Sequence, residues 1–411
     1  MLNRIVKYTM SEYLPNKILT EHIINPNRIY KYGKIKNPEG KTFYLITRAF
    51  REEDNFAMNF AKENDARLLL YAPNYELKNK NDFFQRNLKQ FLENVTSEYH
   101  VFSDKSALEK FLLDESIKML IKDFDPIEKI KMPDCEIIEI DAHNICPVRY
   151  ISNKQEYNAA SYRRKIYHNI ADFFTEFPHT KFTPTESHGV LKDFIENKIN
   201  NFNLKRNDPN ANVNSNLSPY LNHGFISAQR AALEVFKTDT AKENKEAFWE
   251  EIIIRNELSD NFCFYNKKFK TFDGIPDWAK KTLKEHETDI RLENYSKEQL
   301  EKAQTYDELW NASQKQLMKE GKIHGYMRMY WAKQILLWTP SPEKALEYAI
   351  YLNDKYAYDA PSANGYAGIL WALGGLHDRA FQDRPISGEI RSMTYNGAKS
   401  KFNIKEYIEK Y

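Results

Sequence analysis

Tryptophan is confined to the second part of this chain, at spacings that suit either packing or electron transfer. All six copies follow residue 248: Trp249, Trp278, Trp310, Trp331, Trp338 and Trp371. Trp331 and Trp338 are seven residues apart in KIHGYMRMYWAKQILLW, a stretch typical of a helix. Seven residues is close to two turns, so both indoles face one way, about 10 Å apart along the axis. The pattern predicts either a bulky core seam or a row of stacked rings that can be oxidised.

An acid-rich stretch, FWEEIIIRNELSDNF (248–262), is the second candidate for chemistry. At 3.6 residues per turn, Glu251 and Arg255 lie one turn apart on one face, and Glu250 and Glu257 lie two turns apart. An ion pair of this kind at the surface stabilises a helix by about 0.2–0.5 kcal/mol. The opposite face is apolar and lysine is absent, so partial burial of these acids is the alternative.

A segment rich in hydroxyl and amide groups, SNLSPYLNHGFISAQRA (215–231), could hold an anion. Its polar side chains and free backbone N–H groups gather before a helix expected to begin near Ser218, with Pro219 at the first helical position. The arrangement is typical of an ordinary helix cap and also of a phosphate site.

Arg328 stands among Met and aromatic residues in GKIHGYMRMYWAKQILLW (321–338), where an unpaired charge is costly. Asp354 or Asp359 is its expected partner. The ion pair would serve either as a structural clasp or as the frame of a cofactor pocket.

A basic stretch closes the chain, in ILWALGGLHDRAFQDRPISGEIRSMTYNGAKSKF (369–402). Gly374 and Gly375 are expected to end a helix. Cations then follow with aromatic residues between them: Arg379, Arg384, Arg391, Lys399 and Lys401. Cations interleaved with rings suit a nucleic-acid surface that uses phosphate contacts and stacking, or else a solvated charged face.

Two kinds of secondary structure position these residues. Short apolar runs predict five strands, with helix-like segments between them: FYLIT (43–47), RLLLYA (67–72), EYHVF (98–102), IKMLI (117–121) and EIIEID (136–141). Strands that alternate with helices predict a doubly wound parallel sheet covered on both faces. No GxGxxG follows any of these strands, so the dinucleotide fingerprint is absent.

From about residue 155 the hydrophobic period becomes helical. Amphipathic stretches are expected at 155–173, 186–200, 225–237, 243–265, 297–320, 324–338 and 342–357. The sequence therefore divides into an α/β domain (1–150), an interdomain connection with the first helices (151–200) and an all-helical domain (201–411).

The overall amino-acid composition limits what kind of protein this can be. The 411 residues include 60 basic and 58 acidic side chains, so nucleic-acid contact must rest on a local patch rather than on net charge. Three sparse cysteines lack metal-ligand spacing and suit a reducing compartment. The longest apolar run is too short to span a bilayer, and no signal-peptide core is present. We expect a soluble intracellular protein, without a metal site and monomeric.

Together and in this order, these segments resemble the class II cyclobutane pyrimidine dimer photolyases, within the photolyase/cryptochrome superfamily. The resemblance runs from about Thr42 to the C-terminus and is densest in 205–230, 248–266 and 310–403. It rests on long ungapped stretches: WEEIIIRNELSDNFCFYN, KIHGYMRMYWAKQILLW, IYLND, NGYAGILWALGGLHDRAF and GEIRSMTYNGAKSKF. DAHNICPVRYISNKQEY (141–157) is similar to the family's interdomain junction.

The resemblance implies an FAD-dependent enzyme that splits cyclobutane pyrimidine dimers in double-stranded DNA with blue or near-UV light. It implies an α/β N-terminal domain and an all-helical C-terminal domain that holds FAD bent into a U. An antenna chromophore could sit in the α/β domain, although no residue pattern identifies it.

The resemblance also implies a role for each site residue. Contacts to FAD would come from Ser215, Asn216, Leu217 and Ser218 at its phosphates, the Arg328–Asp359 ion pair and Asn353 beside the flavin, and Asn364. The electron-transfer tryptophans would be Trp331, Trp310 and Trp338, from proximal to distal. The dimer and its DNA would meet Glu251 at the base edge, Trp371, Met329 and Arg255 in the lesion pocket, and Arg206 and Arg379 at the backbone. A neutral Glu251 would require burial that disfavours its charge.

Four positions depart from the family pattern: Phe202 for a Tyr expected to reach FAD, His223 for an aromatic residue, and Ala360 and Ser362 for Gly and Asp. They bear on FAD affinity and pocket detail more than on activity. The alternatives to repair are a photoreceptor of the same fold and a light-independent nucleic-acid scaffold, which would be colourless. Intact Glu251 and Trp371 favour repair.

Overall fold

A six-stranded sheet organises the first part of the chain. The computed structural model describes residues 9–178 and 183–411. The strand order across the sheet is β1-β6-β5-β2-β3-β4. The strands are β1 (Ile29–Tyr32), β2 (Lys41–Ile46), β3 (Arg67–Tyr71), β4 (Tyr99–Phe102), β5 (Ile117–Asp123) and β6 (Glu136–Ile140).

The five strands predicted from apolar runs are confirmed, and they run parallel. The additional strand, β1, pairs antiparallel with β6 at the edge of the sheet, with Ile29 opposite Ile140. It was missed because three of its four residues are exposed, so IYKY carries no apolar run.

Both faces of the sheet are buried, as a doubly wound fold requires. Alternate residues of β2 point to opposite sides: Phe43 and Leu45 face α3 (Lys105–Asp114), whereas Tyr44 and Ile46 face α1 (Phe56–Glu63) and α2 (Lys78–Leu92). The apolar runs in the sequence reflect this two-sided burial.

Beyond Ile140, the described residues form helices and loops, apart from one isolated bridge between Thr20 and Glu176. The α-helices are α4 (Val148–Ile151), α5 (Ala159–Asn169), α6 (Glu186–Asp193), α7 (Phe202–Lys205), α8 (Ser218–Asn222), α9 (Ala228–Lys237), α10 (Lys242–Trp249), α11 (Asn256–Tyr265), α12 (Asp277–Glu285), α13 (Lys297–Glu301), α14 (Glu308–Glu320), α15 (Gly325–Leu337), α16 (Pro342–Tyr356), α17 (Ala363–Gly374), α18 (Tyr395–Lys399) and α19 (Ile404–Lys410). Short 3-10 helices occur at Met10–Glu12, Pro26–Arg28, Ile170–Asp172, Ile199–Asn201 and Phe272–Gly274. None of the helices in the described ranges has both the length and the apolar composition needed to cross a bilayer.

Three predicted helices are interrupted. The stretch 186–200 contains a π-helix, Phe194–Lys198, directly after α6. The stretch 243–265 contains a π-helix, Glu250–Arg255, between α10 and α11. The stretch 297–320 is two helices, because Ala303 adopts a left-handed conformation (φ 54°) and Asp307 then caps α14 by accepting from Trp310 N at 3.0 Å. Hydrophobic spacing alone does not reveal any of these breaks.

A buried polar junction joins α11 to the α/β part. Arg48, which follows β2, donates to both carboxylate oxygens of Asp260 at 2.8 and 3.3 Å. Glu257 accepts from the backbone N–H groups of Ile145 and Cys146 at 2.9 and 3.0 Å. Burial raises the pKa of Glu257 well above its ordinary value. The junction fixes α11, and with it the adjoining π-helix, relative to the sheet.

Candidate functional site

Three buried indoles form one connected stack. Trp310 lies on α14, Trp331 lies on α15, and Trp338 directly follows α15. The Trp310 and Trp331 rings are nearly parallel, with 4° between their planes and 6.3 Å between centroids. Trp338 meets Trp310 edge-on at 5.7 Å. Trp310 therefore bridges the two rings that lie two turns apart on α15. The roles of the three rings, and the order in which an electron would pass along them, stay predictions.

Hydrogen bonds hold the two inner rings. Trp310 Nε1 donates to the carbonyl oxygen of Trp331 at 2.9 Å, and Trp331 Nε1 donates to Gln314 Oε1 at 2.9 Å. All three indoles are at most 3% exposed. The three rings thus form a core seam, and their oxidation stays a prediction.

Arg328 and the 215–218 loop meet at Asp359. Arg328 Nη2 donates to both carboxylate oxygens of Asp359, at 3.2 and 3.4 Å, and the Ser218 hydroxyl donates to the same carboxylate. The other carboxylate considered for Arg328, that of Asp354, instead accepts from the Tyr366 hydroxyl at 2.8 Å. Burial alone would raise the pKa of Asp359, but the Arg328 guanidinium and the Ser218 hydroxyl hold it below its ordinary value.

Lys322, which the sequence analysis did not single out, extends this cluster. Its Nζ donates to Asn216 Oδ1 at 2.7 Å. Burial lowers the pKa of Lys322 to about 8; Asp359 opposes this shift and the Arg328 charge adds to it. A lysine directly before an apolar, aromatic helix was the available signal.

The donor set of this cluster suits an anionic cofactor. Two cations, Lys322 and Arg328, act on the carboxylate of Asp359, so positive charge is in excess beside it. Asn216 is held in the left-handed region (φ 58°), a conformation uncommon outside glycine and often found at binding sites. A diphosphate would supply the missing negative charge and accept from the ammonium group and the Ser215 hydroxyl. The residues present therefore fit the phosphates of a dinucleotide.

The two predicted asparagines lie on neighbouring helices but in different surroundings. Asn353, on α16, is 3% exposed, and its Nδ2 donates to Asp354 Oδ1 at 3.1 Å. A Cβ at Gly365 would lie only 3.1 Å from Asn353 Nδ2, so glycine allows α17 to approach this amide. Asn364, in contrast, is exposed and donates to Asn256 Oδ1 at 2.6 Å.

Glu251 is paired with Arg206 and is not buried. The Arg206 guanidinium donates to Glu251 Oε1, and the Glu251 side chain is 50% exposed. The burial that would disfavour its charge is therefore not present in the protein without DNA. An exposed carboxylate held by a cation is open to a partner from solution.

The surface pairing of Glu251 with Arg255, one of the two alternatives from the sequence, does not form. Arg255 Nε donates instead to Glu250 Oε1 at 2.9 Å, and Arg163 donates to both oxygens of Glu250 at 2.7 and 3.1 Å. The cause is the π-helix, whose wider turn aligns residues five apart rather than four. Glu250 and Glu257 accordingly bind different partners, and Glu251 pairs with Arg206.

The other predicted lesion and DNA residues, Met329, Trp371 and Arg379, lie on α15, on α17 and in the loop that follows α17. Met329 and Trp371 are partly exposed, and Trp371 Nε1 donates to Asp378 Oδ2 at 3.2 Å. Gly375 ends α17 at φ 61°. Beyond it, the guanidinium groups of Arg379 and Arg391 lie 5.6 and 5.5 Å from the Phe381 ring. Rings and cations are therefore interleaved on this surface, as the sequence predicts.

The four departures from the family pattern occupy packed positions. Phe202 packs on Phe194 and Phe248 in the core, and the His223 ring lies against Phe84 while its Nε2 bonds the Tyr358 carbonyl oxygen at 3.1 Å. Ala360 is fully buried. Ser362 caps α17 by accepting from Gly365 N at 3.0 Å.

No family model matches the chain. Four curated relatives match the chain, and each carries the name deoxyribodipyrimidine photo-lyase. The protein of Potorous tridactylus is 38% identical over 80% of this chain and 71% of its own length. That of Arabidopsis thaliana is 38% identical over 74% of this chain and 72% of its own length.

Solved structures share the fold at low sequence identity. A bacterial class III photolyase from Agrobacterium tumefaciens aligns with a TM-score of 0.63 at 14% identity, covering 90% of this chain and 86% of that one. An archaeal photolyase from Sulfolobus tokodaii with two FAD molecules aligns with a TM-score of 0.60 at 17% identity, covering 90% of each chain. The likeness shows that the α/β sheet followed by a helical part is an arrangement found in photolyases.

Proposed function

Because the chain belongs to the deoxyribodipyrimidine photo-lyase family, we propose that it binds FAD and uses light to split cyclobutane pyrimidine dimers in DNA, as a class II member. The observation that supports the proposal most directly is the spacing of two residues on α15. This helix places Arg328, part of the anion-binding cluster, one turn before Trp331, the first ring of the indole stack. A cofactor held by the cluster would therefore lie beside a row of oxidisable rings.

Each group in the cluster has a task in holding the cofactor. Lys322 and the hydroxyls of Ser215 and Ser218 would bind the diphosphate, and the Asn216–Leu217 backbone would line it. The Arg328–Asp359 pair would fix the edge of the flavin, with Asn353 opposite its central ring. Bound FAD supplies the light absorption and the single electron that splitting requires. Because splitting consumes no electron overall, the buried indoles would serve instead to reduce flavin that has become oxidised.

The lesion would be recognised after it has flipped out of the stacked bases of the DNA duplex. Photolyases are a known example of base flipping, which costs a few kcal/mol and less for a poorly stacked lesion. Stacking on Trp371 and Met329 would offset that cost. Glu251 would then contact the base edge, where the dimer gains negative charge, and such contacts are strongest when water is excluded. Arg206, Arg255 and Arg379 would contact the surrounding DNA.

Three finer points belong to the same proposal. A second chromophore would sit in the α/β domain. The protein would act as a monomer on double-stranded DNA. It would work in a reducing intracellular compartment, which agrees with three free, buried thiols at Cys135, Cys146 and Cys263.

The proposal is tested on the purified full-length chain. It should carry one FAD per chain, visible as a flavin absorption spectrum, and should restore an oligonucleotide containing one dimer only under illumination. A colourless protein that still binds DNA would favour the scaffold alternative, and a flavin-loaded protein that never repairs would favour the photoreceptor.

A further inference from the structure

Trp338, the outermost indole of the stack, does not reach solvent. It is 3% exposed, and two tyrosine rings lie edge-on against it, Tyr295 at 5.5 Å and Tyr306 at 5.6 Å between centroids. A reductant dissolved in water must approach the ring that it reduces. The solvent-facing end of the stack is therefore a tyrosine.

The two tyrosines differ in exposure and in hydrogen bonding. Tyr306 is 65% exposed. Tyr295 is partly buried, its hydroxyl donates to Glu293 Oε2 at 3.3 Å and accepts from Tyr306 N at 3.1 Å, and burial raises its pKa. A ring that must meet a solute and release a proton to water is better placed at Tyr306.

The backbone around Tyr306 is fixed although its phenol is exposed. Tyr306 directly precedes Asp307, which caps α14, the helix that carries Trp310. Asp307 also accepts from the Tyr330 hydroxyl on α15. The Tyr306 backbone is thus anchored at the start of the helix that carries the middle indole, and its ring lies against Trp338.

We infer that Tyr306 is the residue through which electrons from solution enter the indole stack, and that the donor is a small soluble thiol. The inference rests on the proposed function, since it needs a light-driven electron acceptor beyond Trp331.

The step balances in electrons and protons. Oxidised Trp338 takes one electron from the Tyr306 phenol, whose proton leaves to water. The phenoxyl radical then removes a hydrogen atom from the thiol, which breaks an S–H bond and re-forms the O–H bond. The thiyl radical that remains joins a second one as a disulfide. Each thiol thereby sends one electron inward and releases one proton.

The test uses the FAD-loaded full-length chain with ring-deuterated tyrosine and dithiothreitol as the thiol. Tyr306→Phe and Tyr295→Phe are compared with Tyr157→Phe, a control at a tyrosine that is 74% exposed. Under illumination of oxidised protein, the parent and the control should show a tyrosyl radical by electron paramagnetic resonance. Tyr306→Phe should lose that signal, show a tryptophanyl radical, and photoreduce several-fold more slowly with the thiol. Tyr295→Phe should keep the tyrosyl radical.

A tyrosyl radical that persists in Tyr306→Phe, or that disappears in Tyr295→Phe, would overturn the inference, as would its absence from the parent. Failure of the proposed function is distinguishable, because the parent itself would then bind no FAD or show no photoreduction.

Discussion

Arg206 forms an ion pair with Glu251, the acid that the proposed function assigns to the dimer. Without DNA, each charge is satisfied by the other. Under the proposed function, a DNA phosphate that accepts from Arg206 would release Glu251 to meet the flipped base. Binding of the DNA backbone and release of Glu251 would then be coupled through this one ion pair.

Arg206→Ala should weaken binding to every DNA sequence tested and should lower the slope of log K against log salt by about one, as expected for one lost phosphate contact. The measurement is the dissociation constant of a dimer-containing duplex between low and moderate salt. Lys268→Ala, in an exposed pair with Asp273, is the control and should leave the slope unchanged. An unchanged slope in Arg206→Ala would mean that this side chain does not touch DNA.

Glu251→Ala should lower the repair yield without releasing FAD, because it removes a contact made at the dimer and none made to the cofactor cluster. A hydrogen bond to a charged group is worth about 1.5–3 kcal/mol, so a loss on the order of tenfold or more is expected. Repair yield per absorbed photon and the flavin spectrum are the two readouts. Glu250→Gln is the adjacent control, since Glu250 pairs with Arg163 and Arg255 instead. Loss of flavin in Glu251→Ala would place the acid at the cofactor.

Trp331→Phe should abolish photoreduction of oxidised flavin, because it removes the first ring of the stack. Repair by chemically reduced protein should largely persist. Trp249→Phe is a matched control: Trp249 is equally buried, but it packs on Phe174 and Phe236 outside the stack. Transient absorption after a light flash measures photoreduction of the flavin in both variants. If photoreduction survives in Trp331→Phe, the assigned order of the rings is wrong.

Much of the fold could be predicted because burial leaves a direct trace in the sequence. Strands covered on both faces appear as apolar runs, and helices as a repeating stripe, so β2 to β6 and most of the later helices were located. β1 left no such trace, because Tyr30 and Lys31 face solvent at a sheet edge. The breaks at Glu250–Arg255 and Ala303 depend on local backbone geometry, which hydrophobic spacing does not encode.

The candidate site shows the same division. The segments that carry Ser218, Arg328 and Asp359 were found from their residue types, and the structure joins them. Lys322 was missed because it lies 106 residues from Asn216 in sequence, and only the folded chain brings the two together. Tyr306 was missed because exposure of a ring, which decides whether it can meet a solute, is a property of the tertiary structure.

FAD affinity should fall as pH rises above about 8. The pKa of Lys322 is lowered to about 8 by burial, whereas a bound diphosphate would raise it towards its ordinary value. Below pH 8 the lysine is charged with and without FAD, so affinity is flat. Above pH 8 the complex holds a proton that the free protein has lost, and Kd rises by up to about tenfold per pH unit. Titration of FAD into stripped protein at several pH values measures this.

Two variants test whether Lys322 causes that dependence. Lys322→Met should bind FAD weakly at every pH, with no bend near pH 8. Lys322→Arg keeps the charge to higher pH and should bind FAD with little change across the same range. If the pH dependence of FAD affinity still bends near pH 8 in Lys322→Met, another group causes the bend.

Asp260→Ala should destabilise the whole protein, because it leaves Arg48 buried and unpaired at the junction between α11 and the sheet. Removing one partner of a buried ion pair costs about 3–5 kcal/mol. Asn144 Nδ2, which also donates to Asp260 at 2.9 Å, loses an acceptor as well. The free energy of unfolding, from denaturant titration followed by circular dichroism, is the measurement. Asp273→Ala, in an exposed pair with Lys268, should leave the midpoint unchanged, and an equally small effect in Asp260→Ala would mean that the junction does not hold the two parts together.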